Sequence, residues 1–360
     1  TSAVALYFVF KDVSFREVLN SFRDFDYIWM LPALAVFYFG LYLRGIRWSM
    51  LFKPNYRLST KDATGGIFIG FAFNSILPAR AGEFVRSYLI GKKANSGFSI
   101  AFATVIAERL LDLVAMLLSW VLAFLWAGRE LIRRDAELTI SLFGAQKRTM
   151  TGEAFMEGAV GVVYLSMMLI AFIILVGIPR TRSMMLAVLH WMKFIPHIIR
   201  DKIEMIVHRF GQGLESFHSP RRVFGLLIFS LLIWLTNALS ILFLSYGFDF
   251  QNTMTVAQSV ALIFIVCVFI SVPAAPGYWG FFEAGVIFAI IMMGIHPNDS
   301  SVRSYAILVH LTQWLPIVAI GLPWAWMSHV SMDVVEEAEE RAEAEEEALE
   351  EEILENGEES

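Results

Sequence analysis

Long apolar runs alternate with short polar ones along this chain, and the runs are of two kinds. Residues 27–52, 102–126, 158–178, 223–246 and 304–327 are each apolar and unbroken. A spanning helix needs about 20 mostly apolar residues, so all five are predicted to cross a membrane. Neither 223–246 nor 304–327 contains a charged residue. Residues 1–10 are apolar but short, beginning at Thr1, and are expected to be the remainder of a truncated first span. A signal peptide fits less well, since no charged n-region or cleavage site is visible.

The second kind is broken in the middle. Ala63–Leu77 runs into Pro78-Ala79-Arg80-Ala81-Gly82-Glu83 before an apolar return to Ile90. Val256–Val272 runs into Pro273-Ala274-Ala275-Pro276-Gly277 before Phe281–Ile295. Proline removes a backbone donor and clashes with the preceding turn, so each stretch is predicted to be two half-helices around a tip. In lipid, such freed backbone must be buried in protein or line a wet cavity.

Composition sharpens this picture. The 360 residues are 57% hydrophobic and 17% charged, against about 25% charged in average soluble domains. Too little polar surface exists to cover a soluble globule, which argues against a soluble enzyme. One cysteine, Cys267, excludes an intrachain disulfide framework and a Cys-based zinc site. The net charge of −6 is a composite. Residues 333–360 hold 15 Asp/Glu and one Arg, leaving 27 basic and 19 acidic side chains in the other 332 residues. Residues 1–332 therefore read as a basic membrane domain and 333–360 as an acidic tail.

Basic loops orient the domain, because Lys and Arg accumulate on the cytoplasmic side. Lys53, Arg57 and Lys61 place 53–61 inside, and eight basic against three acidic residues place 179–222 inside as a basic amphipathic linker. Its four histidines, His190, His197, His208 and His218, lack tight ligand spacing, and no metal is expected. Residues 128–157, with five charges of each sign, and 247–258, with Asp249 alone, fit the outside. The alternation closes if 63–90 is a hairpin entering from inside, 256–295 one entering from outside, and the tail is cytoplasmic.

The two tips share an apolar-Pro-Ala-x-x-Gly pattern, Leu77–Gly82 over Val272–Gly277, and each hairpin lies between two full spans. The fold expected is thus an all-α polytopic membrane protein. It has about six full spans plus two re-entrant helical hairpins in an inverted-topology repeat, an arrangement typical of secondary transporters.

Charged residues inside apolar runs are the candidate chemistry. Glu108 and Asp112 are four apart in the span 102–126 and share a helix face, with Arg109 three from Asp112. Each charge at the bilayer centre costs about 2.5–3.5 kcal/mol, so they must face protein or water. They form either a self-neutralised structural knot or part of a polar cavity. Arg80, Glu83 and Arg86 follow Pro78. A half-helix beginning near Pro78–Gly82 would aim free N–H groups at the membrane interior, where helix N-termini hold phosphate, and two arginines add bidentate donors. Alternatively Arg80 and Arg86 pair with Glu83, Glu108 and Asp112, since these five residues and Arg109 together sum to zero charge. Asn74 stands ready to cap freed backbone. At the second tip Tyr278, Trp279, Gly280 and Glu283 bring no basic residue. Glu283 either opposes Arg80 or Arg86, senses a proton or cationic headgroup, or caps backbone. His310 and Gln313 are expected beside the same cavity, or His310 is simply structural. Arg44 and Arg47 sit at the cytoplasmic end of their span, where such side chains can snorkel.

Three motifs in this order, Asn74-x-x-Leu77-Pro78-Ala79-Arg80-x-Gly82-Glu83-x-x-Arg86, Glu108-Arg109-x-x-Asp112 and Pro276-Gly277-x-x-Gly280-x-x-Glu283, resemble the lysylphosphatidylglycerol synthase transmembrane region, the flippase-like or UPF0104 family. The likeness covers about residues 1–330. It departs at the second tip, where Pro276-Gly277-Tyr278 stands for an expected Pro-Gly-Gly. The resemblance implies translocation of lipids with polar headgroups between leaflets. Bifunctional relatives carry a C-terminal aminoacyl-transferase domain, whereas this sequence ends in the 28-residue acidic tail. An enzyme is therefore the less favoured reading.

The expected activity is flipping of a lipid with a phosphate-containing headgroup in the cell membrane. Arg80, Arg86, Asn74 and Gly82 are the candidates to hold the phosphate. Glu83, Glu108, Arg109, Asp112 and Glu283 balance charge, and Pro78, Pro273, Pro276, Gly277 and Gly280 shape the tips. The alternatives are an intramembrane lipid-modifying transferase and a membrane anchor subunit of a lipid or glycan synthase. For a transferase no H-E-x-x-H, G-x-S-x-G or P-loop motif is present. No cofactor, metal or nucleic acid is expected; anionic or phosphate-linked lipids are. A protein partner for the acidic tail and self-association remain open.

Overall fold

The computed structural model describes residues 15–52, 56, 58–77, 81–131, 137–140, 148–177, 183–187, 220–250, 252–271, 276–296, 300–328, 330, 337–338 and 340–341. Residues 1–10, the tip residues Pro78, Ala79, Arg80 and Pro273, most of 179–222 and most of the acidic tail lie outside them.

Among the described residues the main helices are, in order, α1 (Phe15–Arg23), α2 (Met30–Leu51), α3 (Thr60–Ile76), α4 (Gly82–Lys93), α5 (Phe98–Leu131), α6 (Gly152–Gly177), α7 (Pro220–Tyr246), α8 (Val256–Ile270), α9 (Phe281–Met292) and α10 (Ser300–Met327). Four of them, with α2 extended back to Tyr27, are long and apolar enough to cross a bilayer, namely α2, α5, α7 and α10. The fifth predicted span is α6, a 26-residue helix. One departure from an all-helical chain is a β-hairpin in the predicted external loop. There β1 (Glu137–Ile140) pairs antiparallel with β2 (Arg148–Thr151), Glu137 opposite Thr151. Exposed Leu31, Leu125, Met168 and Trp126, the last 91% exposed, give the bundle an apolar outer face. A patch of that kind marks a membrane-contact surface, and the protein is an integral membrane protein.

Both broken runs fold as helix–tip–helix. Ser59 caps α3 through Asp62 N–H at 3.1 Å, and Thr255 caps α8 through Gln258 N–H at 3.3 Å. These are the side-chain oxygens that free helix N-termini require. The chain leaves α3 at Leu77, before Pro78, as the bias against helix in a residue preceding proline dictates. In the second tip Gly277, Tyr278 and Gly280 are all left-handed, with φ of 75°, 59° and 90°. Glycine adopts this freely; Tyr278 does so at a cost.

The two hairpins open at opposite ends of the bundle. Arg222 at the start of α7 donates to the Met50 and Phe52 carbonyls at the end of α2, the latter at 3.0 Å. At the other end of the same antiparallel pair Trp29 meets Tyr246, ring centroids 5.0 Å apart. The base of the first hairpin, where Lys93 Nζ is 2.6 Å from Asp62 Oδ1, lies beside the α2 C-terminus through Trp48, which also donates to Thr104 at 2.9 Å. The base of the second is tied to the segment after Tyr246, where Asn252 N–H donates to the Ile295 carbonyl at 3.0 Å. Its Pro276–Tyr278 tip packs against α3.

Close crossings of small residues hold this core. A Cβ on Gly82 would sit 1.9 Å from the Gly70 carbonyl oxygen, so α4 crosses α3 at backbone contact. A Cβ on Gly321 would meet the Phe68 oxygen at 2.3 Å, which sets α10 against α3 in the same way. Small residues allow backbones to approach where no hydrophobic force drives helices together.

Candidate functional site

Seven ionisable side chains from three elements converge inside this bundle. Glu108, Arg109 and Asp112 come from α5, Glu83 and Arg86 from the first two turns of α4, and Arg44 and Arg47 from α2. Asp112 is the hub. Its Oδ1 accepts from Arg47 Nη1 at 2.6 Å and its Oδ2 from Arg44 Nη1 at 3.0 Å. Arg47 Nη1 also donates to Ser230 Oγ on α7 at 2.6 Å, so one fork ties α2, α5 and α7. Glu108 is ringed by Arg86 at 3.3 Å, Arg47 at 3.7 Å and Arg109 at 3.9 Å. Arg109 Nε lies 3.1 Å from Glu83 Oε1.

Arg44 and Arg47 thus point inward and do not snorkel: Arg47 is fully buried and Arg44 nearly so. The physical reason is Asp112, a buried carboxylate that needs paired guanidinium groups. Their arrival also changes the charge balance. Among the described residues four guanidinium groups face three carboxylates, one positive charge in excess. Trp48 stacks beneath Arg86 at 4.9 Å, and Phe71 lies within 6 Å of the Arg44, Arg86 and Arg109 guanidinium carbons. Such ring faces attract cations by about 0.5–2 kcal/mol each.

Access differs sharply among the four. The side chains of Arg47 and Arg86 are fully enclosed, whereas Arg109 is 36% exposed. Donor capacity remains even in the enclosed ones, because Arg47 Nε and Arg86 Nε have no hydrogen-bond partner among the described residues. Asn74 Oδ1 is likewise buried without a partner, beside Gly82. Gly82 itself opens α4, and its lack of a side chain is used by the crossing with Gly70.

A cavity of about 210 Å³ opens next to Arg44. Apolar side chains of α2, α3, α7, α8, α9 and α10 line most of it, among them Phe37, Phe71, Trp234 and Phe282. Arg44, Asn237 and Gln313 supply its polar atoms. Gln313 therefore stands where the sequence suggested. His310 does not line this cavity; its Nδ1 is 2.7 Å from Glu283 Oε1. Glu283 in turn accepts from Gly280 N–H at 2.7 Å, so it caps the second tip and is not the counterion of Arg86. Among the described residues no group of His, Cys, Asp and Glu is arranged to hold a metal.

Sequence reasoning read Arg44 and Arg47 as snorkelling side chains and missed Ser230. The one signal available was spacing: two arginines three apart share a helix face, and that face also carries the buried Trp48.

Residues 1–321 match the family described as the lysylphosphatidylglycerol synthase TM region. The chain is similar to the glycosyltransferase AglD of Haloferax volcanii, 25% identical over 354 residues, which is 94% of this chain but only 55% of AglD. It is similar to a UPF0104 membrane protein of Methanothermobacter thermautotrophicus, 24% identical over 322 residues, covering 85% of this chain and 87% of that protein. A UPF0104 membrane protein of Pyrococcus horikoshii is 23% identical over 314 residues, 82% and 86% of the two chains.

Proposed function

Because the chain belongs to the family of the lysylphosphatidylglycerol synthase TM region, we propose that it moves a lipid with a phosphate-containing headgroup between the leaflets of the cell membrane. The observation that carries this reading is the excess guanidinium charge at membrane depth. A site with one uncompensated positive charge is completed by an anion, and arginine forks match phosphate oxygens. Arg109 is the accessible donor, and Arg86 and Arg47 supply field from behind it. The free N–H groups at the start of α4 add to the same field. Acyl chains stay in the bilayer or enter the apolar cavity beside Arg44.

The two hairpins serve as the halves of an inverted-topology repeat. Their bases at opposite ends and the seating of the second tip on α3 support this, and such repeats move substrates by rocking about a midplane site. Residues 53–61, 179–222 and the tail from 333 are assigned to the cytoplasm.

AglD is a glycosyltransferase by name, and that likeness favours a second reading, an intramembrane lipid-modifying transferase. Purified protein in vesicles with labelled anionic phospholipid or labelled polyprenyl phosphate separates the readings. The translocation reading expects lipid redistributed between leaflets and chemically unchanged. A covalently altered lipid would contradict it and favour the transferase.

A further inference from the structure

Glu283 and His310 form a buried ionisable pair that the arginine cluster does not use. Glu283 is wholly enclosed, with Gly280 N–H and His310 Nδ1 as its polar contacts, each at 2.7 Å. The imidazole is clamped between the Trp279 and Phe282 rings, both centroids 4.3 Å away. Among the described residues no arginine or lysine pairs with Glu283. The other titratable groups on the surrounding elements are Arg303 and Tyr305 on α10, Cys267 on α8, Tyr278 in the tip, Glu137 on β1, and Lys61 and Asp62 at the start of α3. Arg109 on α5 acts on Tyr278 from across the tip.

A charge in apolar surroundings is costly unless it is compensated. The pair is neutral only when it holds one proton, as O–H on Glu283 or as imidazolium N–H on His310. Its placement links that proton to moving parts. Phe282 stacks on His310 and also walls the central cavity, which Gln313, one turn along α10, lines as well. The bond from Gly280 N–H anchors the left-handed tip that rests on α3, and proton gain or loss changes how strongly Glu283 accepts it. Intramembrane Glu and His residues so placed form proton relays in transporters.

We propose that Glu283 and His310 bind a proton whose movement is coupled to lipid translocation, an inference that rests on the translocation reading. One proton leaves water at one face, bonds to Glu283 Oε1 or His310 Nδ1, and returns to water at the other face.

Two measurements on the purified full chain test it. Infrared difference spectra between acidic and alkaline buffer should contain carboxyl and imidazole bands that Glu283→Gln and His310→Gln each remove. His310→Gln keeps a hydrogen-bonding neighbour for Glu283 and serves if Glu283→Gln does not fold. In vesicles, a gradient of one pH unit should shift the leaflet ratio of a labelled anionic phospholipid up to about tenfold, the equivalent of 1.36 kcal/mol per proton, and both variants should lose the shift. Unchanged spectra in both variants would overturn the proton site. A leaflet ratio indifferent to the gradient, with lipid still moving, would overturn the coupling. Wild-type protein that moves no lipid under any gradient would contradict the translocation reading and the coupling together, while the spectra still decide the proton site.

Discussion

Asp112 and Arg109 are three residues apart on one helix, yet the structure gives them different work. Asp112 pairs with two buried guanidinium groups. Replacing it by Asn strands Arg44 and leaves Arg47 only Glu108, 3.7 Å away, and breaking a buried pair costs about 3–5 kcal/mol. Asp112→Asn is therefore expected to lower the melting temperature and the yield of purified protein clearly. Arg109 is partly exposed; its one short pair, 3.1 Å to Glu83, joins two partly exposed side chains, and its pairs with Glu108 and Asp112 are long, 3.9 Å each. Exposed pairs contribute about 0–1 kcal/mol, so Arg109→Gln should melt close to the wild type. If Asp112→Asn melts with the wild type instead, the cluster is hydrated and not a structural tie. At this scale the sequence shows which residues are out of place in lipid, Glu108, Arg109 and Asp112 among them. It does not show their partners, because Arg47 and Asp112 meet across 65 positions. For Arg44 and Arg47, a cytoplasmic helix end fits snorkelling and inward pairing equally.

Helix–tip–helix elements are legible because their signal is local. Proline at 78, 273 and 276 and glycine at 277 and 280, clustered within a few residues, mark a break in the helix pattern. Pro316 and Pro323 do not stop α10, since flanking helices can satisfy freed backbone in a membrane helix. The β-hairpin at 137–151 escaped notice, its strands being only four residues each. Close crossing is the element-scale property with the clearest consequence. Gly82→Ala places a methyl group 1.9 Å from the Gly70 oxygen, and overpacking of this kind costs about 1–3 kcal/mol or more. Gly158 in α6 has open space where a Cβ would go, and alanine is favoured over glycine in helices by about 1 kcal/mol. Thermal unfolding should therefore fall for Gly82→Ala and hold or rise for Gly158→Ala. Equal melting of the two would remove the tight α3–α4 crossing.

Across the whole molecule, the bundle's two ends are distinguished by the Arg222 contacts at one and the Trp29–Tyr246 pair at the other. In the proposed orientation, which rests on the excess of Lys and Arg in 53–61 and 179–222, the first of these ends faces the cytoplasm. With Cys267 replaced by Ala, a cysteine at Ser141 should react with an impermeant thiol reagent in intact cells, and one at Ser183 should not. The opposite pattern would invert the whole assignment. The central claim, that the excess guanidinium charge carries a lipid phosphate between leaflets, is tested most directly by leaflet exchange of a labelled anionic phospholipid in vesicles holding wild type or Arg109→Gln. A hydrogen bond to a charged group contributes about 1.5–3 kcal/mol. The wild type should exchange lipid faster than protein-free vesicles, and the folded variant should be slower by about tenfold or more. Wild-type exchange at the protein-free rate, or a folded Arg109→Gln as fast as the wild type, would contradict the account.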